Sequence, residues 1–435
     1  MSDLAKKMLK AGFIQRSALA IGLKIFGIVA SYLFTLSITN FYGASTWGQF
    51  SLAFVVLNVL SIISVFGLNT ALLKCVAQYA SDGLKPLKRP YYQTLGFVLL
   101  LSLPMQLGMY FFAEELAVIV FKKELMAAPI KVMSFALIPF SLLSVTAQVI
   151  RGLGKDVLFM LFTHVLRFFI PTLLVVGCYF LLGEQYVLES FVVGICILLF
   201  WSLIVNLKSL NKGFEGVDVP SFSALIAIGF PLLLANSSVF LKSWVDTFMI
   251  GIYMQPEDVG VYNVALKASL LVNLPLTAIN AILAKNIASL HHKGETAELE
   301  KFVKRSTALI IGLAVPMGVG LILLRSYLLS MFGAEFVAGG TVLVVLVIGA
   351  LFNSTVGSVG LVLQMTGAEK IYRNILLFAL VLSIILNVLL IPKFGILGAG
   401  FSTVLTTLVW NTLSLVAVKK KLGFITIPFS LKSIR

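Results

Sequence analysis

Twelve apolar runs, most of them twenty residues or longer and separated by polar punctuation, restrict this chain more than any other feature. They fall at about 16–40, 47–70, 92–113, 127–149, 157–181, 187–206, 224–250, 259–284, 305–326, 340–363, 372–391 and 396–417. A helix needs ~20 apolar residues to cross the ~30 Å hydrocarbon core of a bilayer. Lipid offers no partner to a free backbone N–H or C=O, so each run is expected to be a helix. The predicted fold class is therefore an all-α polytopic membrane protein with about 12 transmembrane helices. Of the 435 residues, 59% are hydrophobic and 12% charged, where soluble domains carry about a quarter charged. That balance excludes a soluble enzyme, a nucleic-acid reader, a disordered chain and a disulfide scaffold.

The first run follows Lys6, Lys7, Lys10 and Arg16, which imitates a signal peptide. It continues from Ser17 to Asn40 with no small-residue cleavage signal closing it, so it reads as a retained span. Cys75, Cys178 and Cys196 have no C-x-x-C spacing and read as isolated small apolar residues, with neither disulfide nor metal expected. No cofactor is implied. No G-x-x-x-x-G-K-[ST] motif occurs, so no nucleotide is hydrolysed by that route.

Net charge is +15. Lys and Arg gather in cytoplasmic loops, and an N-terminus-inside arrangement puts 24 of the 33 on that side. Five lie outside: Lys122, Lys123, Lys131, Arg325 and Lys393. Both termini are thus expected in the cytoplasm. Four cations remain inside spans, namely Lys24, Arg167, Lys242 and Lys267.

The halves of the chain repeat weakly. Gly48 matches Gly260 at an offset of 212, Pro104-Met105 matches Pro316-Met317 at 212, and Phe121-x-x-Glu124 matches Phe332-x-x-Glu335 at 211. Two six-helix lobes follow, 1–212 and 213–435, with 207–223 as linker. An even number of spans per half makes the repeat parallel, with its pseudo-two-fold axis along the membrane normal. Halves of this kind line a central cavity and rock between inward and outward states. Pro104, Pro139, Pro171, Pro231, Pro275 and Pro316 lie within spans, as static kinks or as hinges.

A charge at bilayer depth costs ~2.5–3.5 kcal/mol on insertion scales and marks function by default. Arg167 sits near the middle of its span, too deep for easy snorkelling, and cannot shed its proton. Its guanidinium also suits phosphate oxygens bidentately. Lys24 shares a polar stripe with Ser17, Ser31 and Thr35, although snorkelling would account for it too. Ser238, Lys242 and Asp246 recur at four-residue spacing on one helix face. That spacing lets Lys242 pair with Asp246, either as a static lock or as a switch. Asp246 is the one acid placed within a span and the candidate for proton or Na⁺ coupling. Lys267 is balanced between snorkelling and cavity lining. His164, one turn before Arg167, reads first as a packed histidine and second as a relay. Four cations against one acid make the cavity positive, which favours an anionic head group over a cationic drug.

Several motifs carry a family resemblance. They are Y-G-A-S-T-W-G-Q-F-S (Tyr42 to Ser51), F-G-A-E-F (Phe332 to Phe336) and R-G-L-G-K-D (Arg151 to Asp156). With two six-span lobes, the chain resembles the polysaccharide-biosynthesis (O-antigen-type) flippases, similar in fold to multidrug and toxic-compound extrusion (MATE) proteins and lipid II flippases. The resemblance implies a flippase, not an enzyme, which moves an undecaprenyl-pyrophosphate-linked oligosaccharide across the bacterial cytoplasmic membrane for lipopolysaccharide or another surface polysaccharide. Expected partners are that lipid-linked oligosaccharide, membrane lipid, a coupling proton or Na⁺, and polysaccharide polymerase and chain-length machinery, with no nucleic acid. A proton- or sodium-coupled multidrug exporter of the same fold is the first rival. It would favour acids in the cavity. A membrane-embedded oligosaccharide polymerase is the second. It would need a water-facing acid/base pair that the short outside loops do not show.

Overall fold

The computed structural model describes residues 3–81, 88–182, 186–210 and 221–428. Side chains at 3–18, 20–21, 80–81, 182, 234–236 and 238–239 lie outside the described set. Among the described residues all regular structure is helical. Nine helices are long and apolar enough to cross a membrane, or ten if one bent pair is a single span.

The first two expected spans lie on one helix. Gly22–Val65 has 44 residues, about 66 Å at ~1.5 Å per residue, roughly twice the hydrocarbon thickness. The helix Asp3–Val65 is broken at Gly43, with φ 80° and ψ −179°, a conformation glycine adopts freely. The expected span at 127–149 is the bent pair, Glu124–Ser134 and Leu137–Gly152, meeting at 46°. The expected span at 259–284 falls on Pro256–Ser269, a 3₁₀ turn Leu270–Asn273 and Leu274–His292. Pro275 therefore opens a helix rather than sitting inside one, at a first-turn position where its missing N–H costs nothing. Pro104, Pro171, Pro231 and Pro316 do lie inside helices.

The helices are wet inside and oily outside. Leu100, Phe111, Ile119, Phe180 and Leu181 are each more than two-thirds exposed. An apolar exterior of this kind is what lipid as solvent allows. Interiors carry small polar residues that bond across helices. In Leu137–Gly152, Ser141 donates to Ser61 at 2.9 Å, and Thr146 pairs with Ser202 of Val187–Leu210 at 2.8 Å. Asn206 adds a bond to the Thr146 carbonyl at 3.0 Å.

The chain divides into two compact units, Met1–Gly43 with Leu52–Ser237 and Ala44–Ser51 with Ser238–Arg435. The expected boundary at 212/213 and most of the 207–223 linker lie outside the described residues. In the first unit, Leu137–Gly152 packs on Leu68–Ser81 and on Val187–Leu210. In the second, Ile396–Leu422 packs on Glu369–Phe394 and on Gly340–Val356.

The short segment 44–51 is seated in the second unit by close backbone approach. A Cβ on Gly48 would lie 1.7 Å from the Pro256 carbonyl oxygen, and one on Gly260 would lie 2.3 Å from the Ala44 carbonyl oxygen. Gly48 and Gly260 are the residues matched at an offset of 212, and Ala44 and Pro256 stand at the same offset. The two close approaches are reciprocal, each glycine lying against the backbone carbonyl four residues before the other's position. The Ala44 N–H donates to the Glu335 carboxylate, which serves a backbone donor freed by the break at Gly43.

Candidate functional site

Each unit holds its own polar constellation. In the first, Arg167 opens the helix Leu166–Leu182, directly after a π-helical turn at Leu161–Val165. Single π turns inside α-helices recur at functional sites, because the wider turn re-aims the side chains beyond it. The Arg167 guanidinium lies 4.5 Å from the ring centre of Phe140 and 5.7 Å from those of Phe54 and Phe168. Its Nε is buried without a hydrogen-bond partner. No described carboxylate pairs with it. Three ring faces stabilise the charge electrostatically while leaving its fork of donors unused.

His164 lies one turn earlier, exposed, with its ring edge-on to Phe159 at 6.5 Å. The first helix approaches it closely: a Cβ on Gly27 would be 2.8 Å from the His164 Cβ. That brings exposed Lys24, one turn from Gly27, towards His164 and Arg167. Ser31, half-buried, continues this helix, and its carbonyl accepts from Thr35 at 3.0 Å. A cavity of about 210 Å³ in the same unit is lined by Asn58, Ser61, Ser144 and Phe140, so one ring bounds both cavity and guanidinium.

The second unit is organised around Asp246, which is 8% exposed. Its Oδ1 accepts from Asn387 Nδ2 at 2.6 Å and from Ser383 Oγ at 3.4 Å. Its Oδ2 accepts from Thr403 Oγ1 at 2.6 Å and from the Tyr262 hydroxyl at 3.2 Å. These donors come from Pro256–Ser269, Glu369–Phe394 and Ile396–Leu422, so a single carboxylate ties together three helices besides its own. Asn387 Oδ1 beside it is buried without a partner. Besides the amide nitrogen of Asn387, the cluster holds a carboxylate, three hydroxyls and one spare amide oxygen, groups of the kind a hard cation takes.

The spacing of Lys242 and Asp246 predicts a pair, and the structure does not form it. The Lys242 ammonium lies over Trp410, 4.2 Å from the ring centre, while the carboxylate is taken up by neutral donors. An ammonium on an indole keeps its attraction without desolvating a second charge. Lys267 is placed similarly, 5.7 Å from the ring centre of Trp47 in segment 44–51. The Ser238 side chain lies outside the described residues. A cavity of about 150 Å³ is lined by Lys242, Asn273, Asn353, Thr403, Thr407 and Trp410, among others.

Some of this is absent from the sequence reading. The four donors to Asp246 come from positions 16 to 157 residues away and bear no mark in the sequence that sets them apart from other polar residues in the spans. Glu189, in the first turn of Val187–Leu210, is a second acid at the edge of a span, with Oε2 buried and unpartnered. Glu189 falls within the expected span 187–206, so Asp246 is not the one acid inside the expected spans. No group of three or more metal-ligating side chains occurs among the described residues.

Comparison with known proteins adds to the geometry. Residues 39–338 match the family model for polysaccharide biosynthesis proteins. The chain is 26% identical over 390 residues, covering 88% of it, to a probable low-salt glycan biosynthesis flippase, Agl15, of Haloferax volcanii, of which 78% is covered. It is 30% identical over 191 residues to the probable flippase AglR of the same organism, covering 43% of this chain and 40% of that one. Among solved structures, the lipid II flippase MurJ in an inward closed conformation superposes with a TM-score of 0.72 at 15% identity, covering 93% of this chain and 87% of that one. An inward-facing multidrug resistance MATE transporter reaches the same TM-score at 13% identity, with 94% and 98% covered.

Proposed function

We propose, for a chain that belongs to the polysaccharide biosynthesis protein family and is a multi-pass membrane transporter, that it carries a polyprenyl-pyrophosphate-linked oligosaccharide across the bilayer by alternating access. The observation that carries this reading is the way its deep cations are held. Arg167 and Lys242 rest on aromatic rings rather than on carboxylates. A cation neutralised by an acid has little left for an anionic ligand, whereas one held by ring faces keeps its hydrogen bonds for phosphate oxygens. Arg167, Lys24, Lys242 and Lys267 are the groups that would meet the pyrophosphate, with His164, Ser31 and Ser238 as secondary contacts.

Asp246 is the coupling residue. Its carboxylate, Thr403 Oγ1, Ser383 Oγ and Asn387 Oδ1 make a set of hard oxygens, which favours Na⁺ over a proton as the exchanged ion. The excess of cytoplasmic Lys and Arg supports both termini inside. The motif resemblance supports an undecaprenyl carrier, an O-antigen-type repeat unit and a bacterial cytoplasmic membrane.

The test is translocation of a lipid-linked oligosaccharide by purified protein in liposomes. Arg167→Ala, present at wild-type levels, is expected to lose most of its transport. Wild-type transport by both Arg167→Ala and Lys24→Ala sinks the cationic pathway. A drug exporter is the rival with the same fold, and competition by a cationic dye without competition by pyrophosphate would favour it.

A further inference from the structure

We propose that the cavity of about 150 Å³ within the second unit is a subsite for a single sugar ring. The proposal rests on the reading of the substrate as a lipid-linked oligosaccharide and names which part of that substrate the second unit holds.

Size comes first. Sites for drug-sized ligands run to ~300–1,000 Å³. This cavity is well below that, and it suits one ring of a head group at a time. Its walls come next. Trp410 supplies a flat apolar face, on which the C–H-rich side of a pyranose packs. Besides the Lys242 ammonium, the polar groups around it are short and neutral, as a ring of hydroxyls can use. Asn353 is locked in place: it accepts from Asn411 at 3.1 Å and donates to the Asn273 carbonyl oxygen at 3.0 Å. That relay uses the Asn273 oxygen and leaves its amide N–H groups with no partner among the described residues. The Thr407 hydroxyl likewise has no partner there. Two unused donors beside a preformed aromatic platform are what sugar hydroxyls would satisfy.

Lys242 now covers the indole face at 4.2 Å. A ring enters by exchange: the ammonium swings from the indole onto ring hydroxyls, trading a cation–π contact for hydrogen bonds. Thr403 connects the subsite to Asp246. Its Oγ1 lines the cavity and bonds the Asp246 carboxylate at 2.6 Å. Filling the cavity and changing the occupancy at Asp246 therefore act on one hydroxyl.

The experiment is saturation-transfer NMR on the full-length protein in nanodiscs, with free glucose, galactose, N-acetylglucosamine and glucuronate at millimolar concentration. At least one ring is expected to receive transfer, concentrated on the C–H protons of one face. Trp410→Ala should abolish the signal, Trp410→Phe should keep part of it, and Thr407→Val should weaken binding several-fold with an unchanged melting temperature. If Trp410→Ala does not fold, Thr407→Val decides alone. Signals unchanged in Trp410→Ala and Thr407→Val, or no ring binding to the wild type, overturn the subsite. Native mass spectrometry of co-purified lipid separates the two readings. Lipid-linked sugar retained without any ring binding removes the subsite and leaves the flippase. No lipid-linked sugar on any variant removes the flippase reading whatever the rings do.

Discussion

Arg167 in the first unit and Asp246 in the second are both charges at membrane depth, held by opposite means. Arg167 meets ring faces and no acceptor among the described residues, with Nε left over. Asp246 meets four donors and is saturated on both oxygens. The first arrangement leaves hydrogen-bonding capacity for a visitor, and the second leaves none until a donor is moved aside. A site of the first kind suits recognition of a large anion. A site of the second kind suits exchange of a small cation, because hydroxyls can rotate to turn their oxygens towards it without moving a helix.

That contrast can be broken most directly at the acid. Asp246→Asn keeps the shape and removes the charge. Transport is expected to fall ~100-fold, about 2.7 kcal/mol at the barrier, and to lose its response to a Na⁺ gradient. A gradient response equal to wild type, measured in liposomes with and without Na⁺ outside, would end the division of labour. Next comes Arg167→Ala, with ~10-fold to 100-fold weaker retention of pyrophosphate lipid, or about 1.4–2.7 kcal/mol, read by mass spectrometry of bound lipid. It should leave the gradient response of the residual transport intact. Arg167→Lys should recover only part, because an ammonium lacks the planar fork. Thr403→Val removes one hydroxyl donor to a charged carboxylate, worth ~1.5 kcal/mol at the low end for such bonds. It should shift the Na⁺ concentration for half-maximal transport about ten-fold. Lys24→Ala should have the smallest effect, two- to three-fold in transport rate, since its side chain is exposed and can snorkel to water.

Helix content was legible because each apolar run has to be helical in lipid, but the runs at 127–149, 259–284 and 340–363 are each broken within the expected span. Joints were less so. The break at Gly43 sits inside the motif Tyr42 to Ser51, yet nothing local says that Ala44–Ser51 belongs with the second unit. The cations were legible individually because charge in an apolar run is conspicuous. Their partners were not. The Lys242–Asp246 spacing is local and suggested a pair, whereas Trp410, Thr403 and Asn387 reach these side chains through tertiary packing. Ring faces carry no formal charge, so counting charges along the chain could not find the cage around Arg167. Glu189 was overlooked because a span-edge acid resembles ordinary punctuation.

The bond from the Ala44 N–H to Glu335 joins residues 291 apart. At ~5–20 residues per second, the ribosome makes Glu335 on the order of tens of seconds after Ala44. Throughout that interval the joint after Gly43 exists without the surface that receives it, and the Ala44 N–H and the backbone flank at Gly48 lack their partners from the second unit. A gene fragment beginning at Ser238 would lack these eight residues altogether, and its product is expected to recover order when a separate 44–51 peptide, or the first half of the chain, is made alongside it.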